Sequence, residues 1–101
     1  MVLTVLEAEV APDREDDLRR AFAETSAGPV PPYIVRSFLV RSVDEPTRWR
    51  LMTVFRSMED LQAMRASGET PRGVVIFNEA GASPQLSIFE VADQFENTGA
   101  R

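Results

Sequence analysis

Residues 33–56 read YIVRSFLVRSVDEPTRWRLMTVFR, and this stretch decides the fold. Turn-forming residues 44–47 separate two runs rich in β-branched and aromatic residues, Tyr33–Ser42 and Arg48–Arg56, which predicts a β-hairpin. Side chains alternate across a strand. The second run is apolar on both of its faces, with Trp49, Leu51, Thr53 and Phe55 against Met52 and Val54.

The first run of the hairpin shows the same two-sided pattern. We expect one face to carry Ile34, Arg36, Phe38 and Val40, and the other Tyr33, Val35 and Leu39. An antiparallel sheet with one face in water shows clean apolar/polar alternation, which is missing here. Because a few short helices can cover only one face, a second copy of the chain is the simplest cover for the other. The sequence therefore predicts a homodimer.

The remaining elements are found by working outward from the hairpin. Val2–Val10 is predicted to be the first strand, and Asp13 the N-cap of a helix that ends at Gly28. A second helix is predicted from the cap Ser57 to about Ser67, because an acid follows three residues after the serine. The last predicted strand is Gln85–Ala92.

Residues 68–84 leave two alternatives open. Val74–Phe77 has the composition of a strand. A short helix over Pro71–Ala80 is favoured, because Thr70 can cap it, proline suits a first helical position and Gly81 suits the position just past a helix end.

The predicted element order is β-α-β-β-α-β. It is typical of an α+β, ferredoxin-like domain with an antiparallel sheet. We expect a single domain over residues 1–92, followed by a polar, mobile C-terminal tail over residues 93–101.

The residue types that are missing exclude several chemistries. The 101 residues include no His and no Cys, and all eleven basic residues are Arg. Disulfides, thiolate nucleophiles, Schiff-base lysines and the commonest metal ligands are therefore excluded, and we expect no metal and no cofactor. A net charge of −5 makes nucleic acid and anionic membranes poor partners. The start of the chain has no basic signal-peptide region, so we expect a cytoplasmic location.

The arginines are concentrated in the hairpin. Residues 36–56 hold five of the eleven against only two acids, so this segment is positive in an acidic chain. The cluster has two interpretations. It could be an anion-binding patch, since Arg matches carboxylate and phosphate geometry. Alternatively, it pairs with the acidic first helix or across a dimer.

From about Val2 to Val91 the chain resembles the antibiotic-biosynthesis-monooxygenase (ABM) type domain of the dimeric α+β barrel superfamily. The resemblance is strongest over Pro32–Ser67, in the Pro-led second strand, the DEPTRW turn at residues 44–49, the apolar third strand ending in an aromatic, and the SMEDL segment at residues 57–61. It implies a homodimer with sheets packed face to face and a pocket in each subunit between helices and sheet.

The same resemblance implies a range of activities. Some members oxidise polycyclic aromatic compounds with O2 and no cofactor, and others degrade haem. Members usually carry Trp where this chain has Phe55, and often His where it has Met64. Because the haem-degrading branch uses a His iron ligand, we do not expect haem binding of that type.

Candidate site residues follow from the predicted faces and the implied pocket. Tyr33, Arg36 and Asn78 are the candidate catalytic residues, which would orient a substrate and stabilise its anion. The candidate substrate-binding residues are Phe22, Trp49, Phe55, Met64 and Phe77. The alternatives are core packing for the apolar residues, a strand anchor for Tyr33 and a solvent-exposed position for Asn78.

The sequence favours a small cofactor-free monooxygenase-like protein that binds a hydrophobic, aromatic small molecule. A non-catalytic ligand-binding or interaction module on the same dimeric fold is the main alternative. An isomerase or cyclase that uses a pocket carboxylate is a third.

Overall fold

The computed structural model describes residues 1–97 and contains one four-stranded sheet. Its strands are β1 (Val2–Glu9), β2 (Ile34–Arg41), β3 (Arg48–Phe55) and β4 (Gln85–Glu90). All neighbouring strands pair antiparallel, in the order β2-β3-β1-β4. The helices are α1 (Glu15–Ala27), α2 (Met58–Ala66) and α3 (Arg72–Glu79). The predicted α+β, ferredoxin-like fold is confirmed. The helix α3 precedes β4 and is a third helix beside the two of the β-α-β-β-α-β order.

The core lies on one face of the sheet and falls into two clusters. The larger cluster packs α1 and α3 on the sheet, and its most deeply buried side chains are Leu18, Phe77 and Val10. The smaller cluster packs Leu61 of α2 on Val2 and Phe55. Each cluster covers its own part of the sheet, so a space can remain between them.

The helix starts show which predicted caps form. Ser57 accepts a hydrogen bond from the backbone N–H of Asp60, so the predicted cap of α2 is confirmed. The predicted cap at Asp13 is wrong, because Pro12–Arg14 forms a 3-10 turn and α1 begins only at Glu15.

The short helix favoured over residues 71–80 is confirmed as α3, and the strand alternative is wrong. Gly81 follows it with a φ of +75°, a conformation that glycine adopts without strain. The predicted cap at Thr70 is wrong, because Pro71 occupies the N-cap position and no side chain caps α3.

The face prediction for β2 needs a correction. A register shift between Ile34 and Arg36 places Ile34 opposite Phe55, within the smaller core cluster. Arg36, Phe38 and Val40 lie on the other face, so Arg36 does not share a face with Ile34. A β-bulge inserts one residue and reverses the alternation, which a period-two pattern does not reveal.

The opposite face of the sheet, which we call the open face, carries none of the helices of residues 1–97. It presents the half-buried side chains of Leu3, Val5, Met52 and Val54 beside exposed Phe38, Val40 and Phe89. The predicted two-sided apolar character of the sheet is therefore present. After β4 the described residues 91–97 have no regular secondary structure, and residues 98–101 of the predicted tail lie outside the described part.

Candidate functional site

A cavity of about 350 Å3 lies between the helices and the sheet, where the two core clusters separate. α1 contributes Phe22, Thr25 and Ser26, while the segment before β2 contributes Val30, Pro31 and Tyr33. The side chains of the sheet form its floor: Thr4, Leu6, Ile34, Ser37, Leu51, Thr53, Phe55 and Leu86. Most of this lining is apolar.

Aromatic side chains form one wall of the cavity. The rings of Tyr33 and Phe55 are stacked, with centroids 5.9 Å apart and planes 12° from parallel. Met64 and Leu61 of α2 lie beside them, and Phe22 of α1 also lines the cavity. Flat aromatic faces and a flexible thioether suit a planar apolar ligand.

The floor of the cavity also carries hydroxyl groups. Thr4, Thr53 and Ser37 occupy paired positions on β1, β3 and β2. The Ser37 Oγ and Thr53 Oγ1 atoms lie 3.0 Å apart, and Thr4 Oγ1 donates to the Thr53 carbonyl at 3.4 Å. Sequence reasoning did not identify these three residues, because their proximity depends on strand register.

The start of α3 closes one side of the cavity. Arg72 donates from its Nη1 atom to the Pro29 carbonyl at 2.6 Å, which ties α3 to the segment that follows α1. Gly73 lies so close to the sheet that a Cβ atom there would fall 2.6 Å from Leu6 Cδ1 and 2.8 Å from Leu51 Cδ2. This glycine therefore lets α3 approach the cavity floor.

Four of the eight predicted site residues line this cavity: Phe22, Tyr33, Phe55 and Met64. The structure places the others elsewhere. Arg36 lies on the open face, across the sheet from the cavity. Asn78 is exposed on α3, and Phe77 is fully buried in the larger core cluster.

Trp49 is also away from the cavity. It is 2% exposed and packs in the larger cluster. The guanidinium groups of Arg19 and Arg41 lie 5.3 Å and 5.4 Å from its ring centroid, a cation–π arrangement.

Most hairpin arginines are paired. Arg41 contacts Glu15 of α1 at 3.1 Å, as the pairing interpretation predicts. Arg48 and Arg50 both bind Glu7 on the open face, and the hydrogen bond from Arg50 lowers the pKa of that carboxyl. None of these groups lines the cavity, so they do not form an anion site within it.

The titratable side chains that line the cavity are Tyr33 and the exposed Arg65, Glu69 and Arg72. Within residues 1–97, no three carboxylate, His or Cys side chains are grouped to hold a metal ion. In the same part of the chain, no helix is long and apolar enough to cross a membrane.

Comparison with known proteins gives a family and several structural neighbours. The family model for antibiotic biosynthesis monooxygenases (ABM) matches residues 1–73. No curated protein matches the sequence. A candidate antibiotic biosynthesis monooxygenase from Deinococcus radiodurans superposes with a TM-score of 0.71 at 10% identity, covering 98% of this chain and 100% of that one.

Two neighbours with described activities differ from each other. SnoaB, a cofactor-independent oxygenase from Streptomyces nogalater, has a TM-score of 0.62 at 19% identity, covering 95% of this chain and 97% of its own. The haem degrader MhuD from Mycobacterium tuberculosis, solved with two haems in its active site, has a TM-score of 0.69 at 25% identity, covering 95% of this chain and 100% of its own.

Proposed function

This chain belongs to the antibiotic biosynthesis monooxygenase family, and from that membership we propose that it oxidises a hydrophobic, aromatic small molecule with O2 and without a cofactor. The cavity is the site of binding and reaction. The observation that carries the proposal is a mostly apolar cavity with an aromatic wall and a few polar groups on its floor. Its volume is at the lower end of the range typical of small-molecule sites, about 300–1,000 Å3.

The proposed chemistry needs an electron-rich substrate rather than a strong protein base. A ring methylene group beside a carbonyl loses one proton to water and becomes an enolate. The enolate carbon bonds to O2 and, after protonation, gives a hydroperoxide. Loss of water then leaves a second carbonyl, so that one methylene and one O2 molecule become one carbonyl and one water molecule.

The protein contributes binding, orientation and a dry environment. Stacked Tyr33 and Phe55 can hold a flat ring, and the Tyr33 hydroxyl can donate to an oxygen of the substrate. Leu6 and Leu51 give the floor an apolar part that a bound ring would cover. A hydrogen bond to the developing enolate oxygen is stronger in a water-poor cavity than in solvent, which lowers the barrier to its formation.

Haem does not fit the donor set of this cavity. The chain has no His to ligate iron, and the half-buried Met64 supplies only a thioether where members of the family often have an imidazole. The Tyr33 ring is stacked on Phe55. We therefore propose no step through haem, and the cofactor-independent neighbour is the better functional comparison.

A homodimer is part of the proposal. The open face exposes Phe38 to 45% and Phe89 to 52%, amid half-buried aliphatic side chains. A contiguous apolar patch of this kind is typical of a protein interface. A second copy of the chain offers the same apolar face, and a two-fold axis would bring the two faces together.

A non-catalytic ligand-binding module is the second candidate function. The observation that favours it is the scarcity of proton-transfer groups: among the described residues that line the cavity, Tyr33 is the one titratable side chain that is not exposed. The two candidates predict the same binding and differ only in O2 consumption.

The test uses a substitution that fills the cavity. Thr25→Trp places an indole in the space that α1 lines, while Glu24→Trp adds the same ring to the adjacent exposed position outside the cavity. Anthrone binding and O2 uptake are measured for the wild type and both variants, without flavin, nicotinamide, haem or added metal. We expect Thr25→Trp to lose both signals and Glu24→Trp to retain them.

Each other outcome has a defined meaning. Binding without O2 uptake over a series of anthrone- and quinol-type compounds would favour the binding module. Failure of the wild type to bind any member of the series, or equal activity in Thr25→Trp, would refute the cavity as the site.

A further inference from the structure

The two core clusters are separated by a line of hydroxyl groups across the sheet. Thr4 of β1 is opposite Thr53 of β3, and Thr53 is opposite Ser37 of β2. On one side of this line the sheet carries Leu6 and Leu51, which belong to the larger cluster. The flanking residues on the other side, Val2 and Phe55, belong to the smaller cluster. The three hydroxyl residues, which we call the hydroxyl row, therefore cross the cavity floor where the apolar packing is interrupted.

The hydroxyl row extends from the depth of the cavity to its open edge. Thr4 is 8% exposed, Thr53 is half-buried and Ser37, on the edge strand β2, is exposed. All three line the cavity. A ligand that enters and covers the floor would remove water from these hydroxyls, and a covered hydroxyl without a partner is costly.

Each hydroxyl offers one proton and two acceptor lone pairs. The Thr4 proton is used by the Thr53 carbonyl, at 3.4 Å, so Thr4 Oγ1 retains its acceptor capacity. Ser37 Oγ lies 3.3 Å from the Met52 carbonyl and 3.0 Å from Thr53 Oγ1. The Ser37 proton can therefore be donated to either oxygen.

These two proton positions give the row two states. When Ser37 donates to Met52, Thr53 donates to Ser37 and the row offers only lone pairs, which suits a phenol O–H on the ligand. When Ser37 donates to Thr53 instead, the Thr53 proton is free to bind a carbonyl or an enolate oxygen. Rotation of the Ser37 and Thr53 hydroxyls thus lets the row bind either a phenol or a carbonyl or enolate oxygen on the ring.

We propose that the hydroxyl row Thr4–Thr53–Ser37 selects and positions the ligand by hydrogen-bonding an oxygen substituent on its ring. This inference rests on the proposed function, because it requires that the ligand occupies the cavity. It adds the specificity: the row favours a ring that carries a carbonyl or hydroxyl group over the corresponding hydrocarbon. These are positioning residues on the floor, whereas Tyr33 belongs to the aromatic wall.

Threonine pairs across strands also stabilise sheets without any ligand. The test therefore measures a ratio that a purely structural role would not change. Binding of anthrone and of dihydroanthracene, which differ by one carbonyl oxygen, is measured without O2 by equilibrium dialysis. Thr53→Val removes a hydroxyl at almost constant shape, Thr53→Ser restores it, and Thr70→Val changes a threonine that lines the cavity outside the row.

We expect wild-type protein to prefer anthrone, and Thr53→Val to reduce that preference by about 3- to 10-fold, the range for one hydrogen bond. Thr53→Ser and Thr70→Val should keep the wild-type preference. If both rings bind and Thr53→Val leaves their ratio unchanged, or weakens both by the same factor, the role of the row is refuted and the cavity proposal stands. If neither ring binds the wild type, the proposed function fails first and this inference with it.

Discussion

The apolar open face makes Phe38→Glu the most informative perturbation of assembly. Phe38 is 45% exposed in the single chain. For a phenylalanine side chain of about 200 Å2, this leaves roughly 90 Å2 to be covered by a partner. At ~25 cal/mol per Å2 the covered area stabilises the dimer by about 2 kcal/mol. A two-fold axis places the residue in the interface twice, so the substitution removes about 4–5 kcal/mol.

That loss corresponds to a dissociation constant raised by roughly 10³-fold, and burying a carboxylate would raise it further. Sedimentation equilibrium over a range of concentrations measures it directly. Val75→Glu is the matched control, because Val75 is 44% exposed but lies on α3, away from the open face. We expect the control to dimerise like the wild type. Phe38→Glu should sediment as a monomer, and circular dichroism should show that this monomer is folded.

Two results would refute this reasoning. The first is a wild-type mass that stays at the monomer value of 11.3 kDa at micromolar concentrations. The second is an unchanged dissociation constant for Phe38→Glu, which would mean that the partner covers a different surface.

Two further predictions concern acid stability and fluorescence. Hydrogen bonds from Arg50, Arg14 and Arg56 lower the pKa values of Glu7, Asp17 and Asp60. Because the pKa values of these groups are lower in the folded protein than in the unfolded chain, the ionised carboxylates stabilise the fold at pH values above the ordinary carboxyl pKa range. We expect the melting temperature to fall as the pH drops below about 4, and to fall less steeply in Glu7→Gln; identical profiles would contradict this. Trp49 emission should not shift when a ligand fills the cavity, because that ring lies outside it, and a large shift on titration would place the ligand elsewhere.

The fold could be predicted because its signals are local. The alternation of side chains along β3 predicted both of its faces correctly. Gly81, after Ala80, correctly indicated where α3 ends. The error in the face of Arg36 arises where a single inserted residue changes the geometry. The bulge before Arg36 reverses the faces along β2 and moves that side chain across the sheet from the cavity. No repeating pattern in a single sequence encodes such an insertion.

The site was harder to predict because it depends on distances between elements. Trp49 and Phe55 share a face of β3, but they are six steps apart along the strand, or about 20 Å, which is too far to line one small cavity. Asn78 is next to Phe77 in sequence, yet one helical step turns it from the core to solvent. Thr4 and Thr53 are 49 positions apart, and only the β1–β3 register brings them together.

The two faces of the sheet explain why the sequence lacks polar alternation. The open face is apolar because, on our proposal, it is covered by a second copy. The helix-covered face would be expected to form one continuous core, and the hydroxyl row interrupts it at Thr4, a position that is 8% exposed. Valine there would bury more apolar area and join the two clusters, whereas threonine keeps a hydroxyl that donates to the Thr53 carbonyl. Departures from efficient packing in natural proteins are concentrated at functional sites. The interruption therefore supports the cavity floor, rather than the arginine-rich hairpin, as the place where this protein meets its ligand.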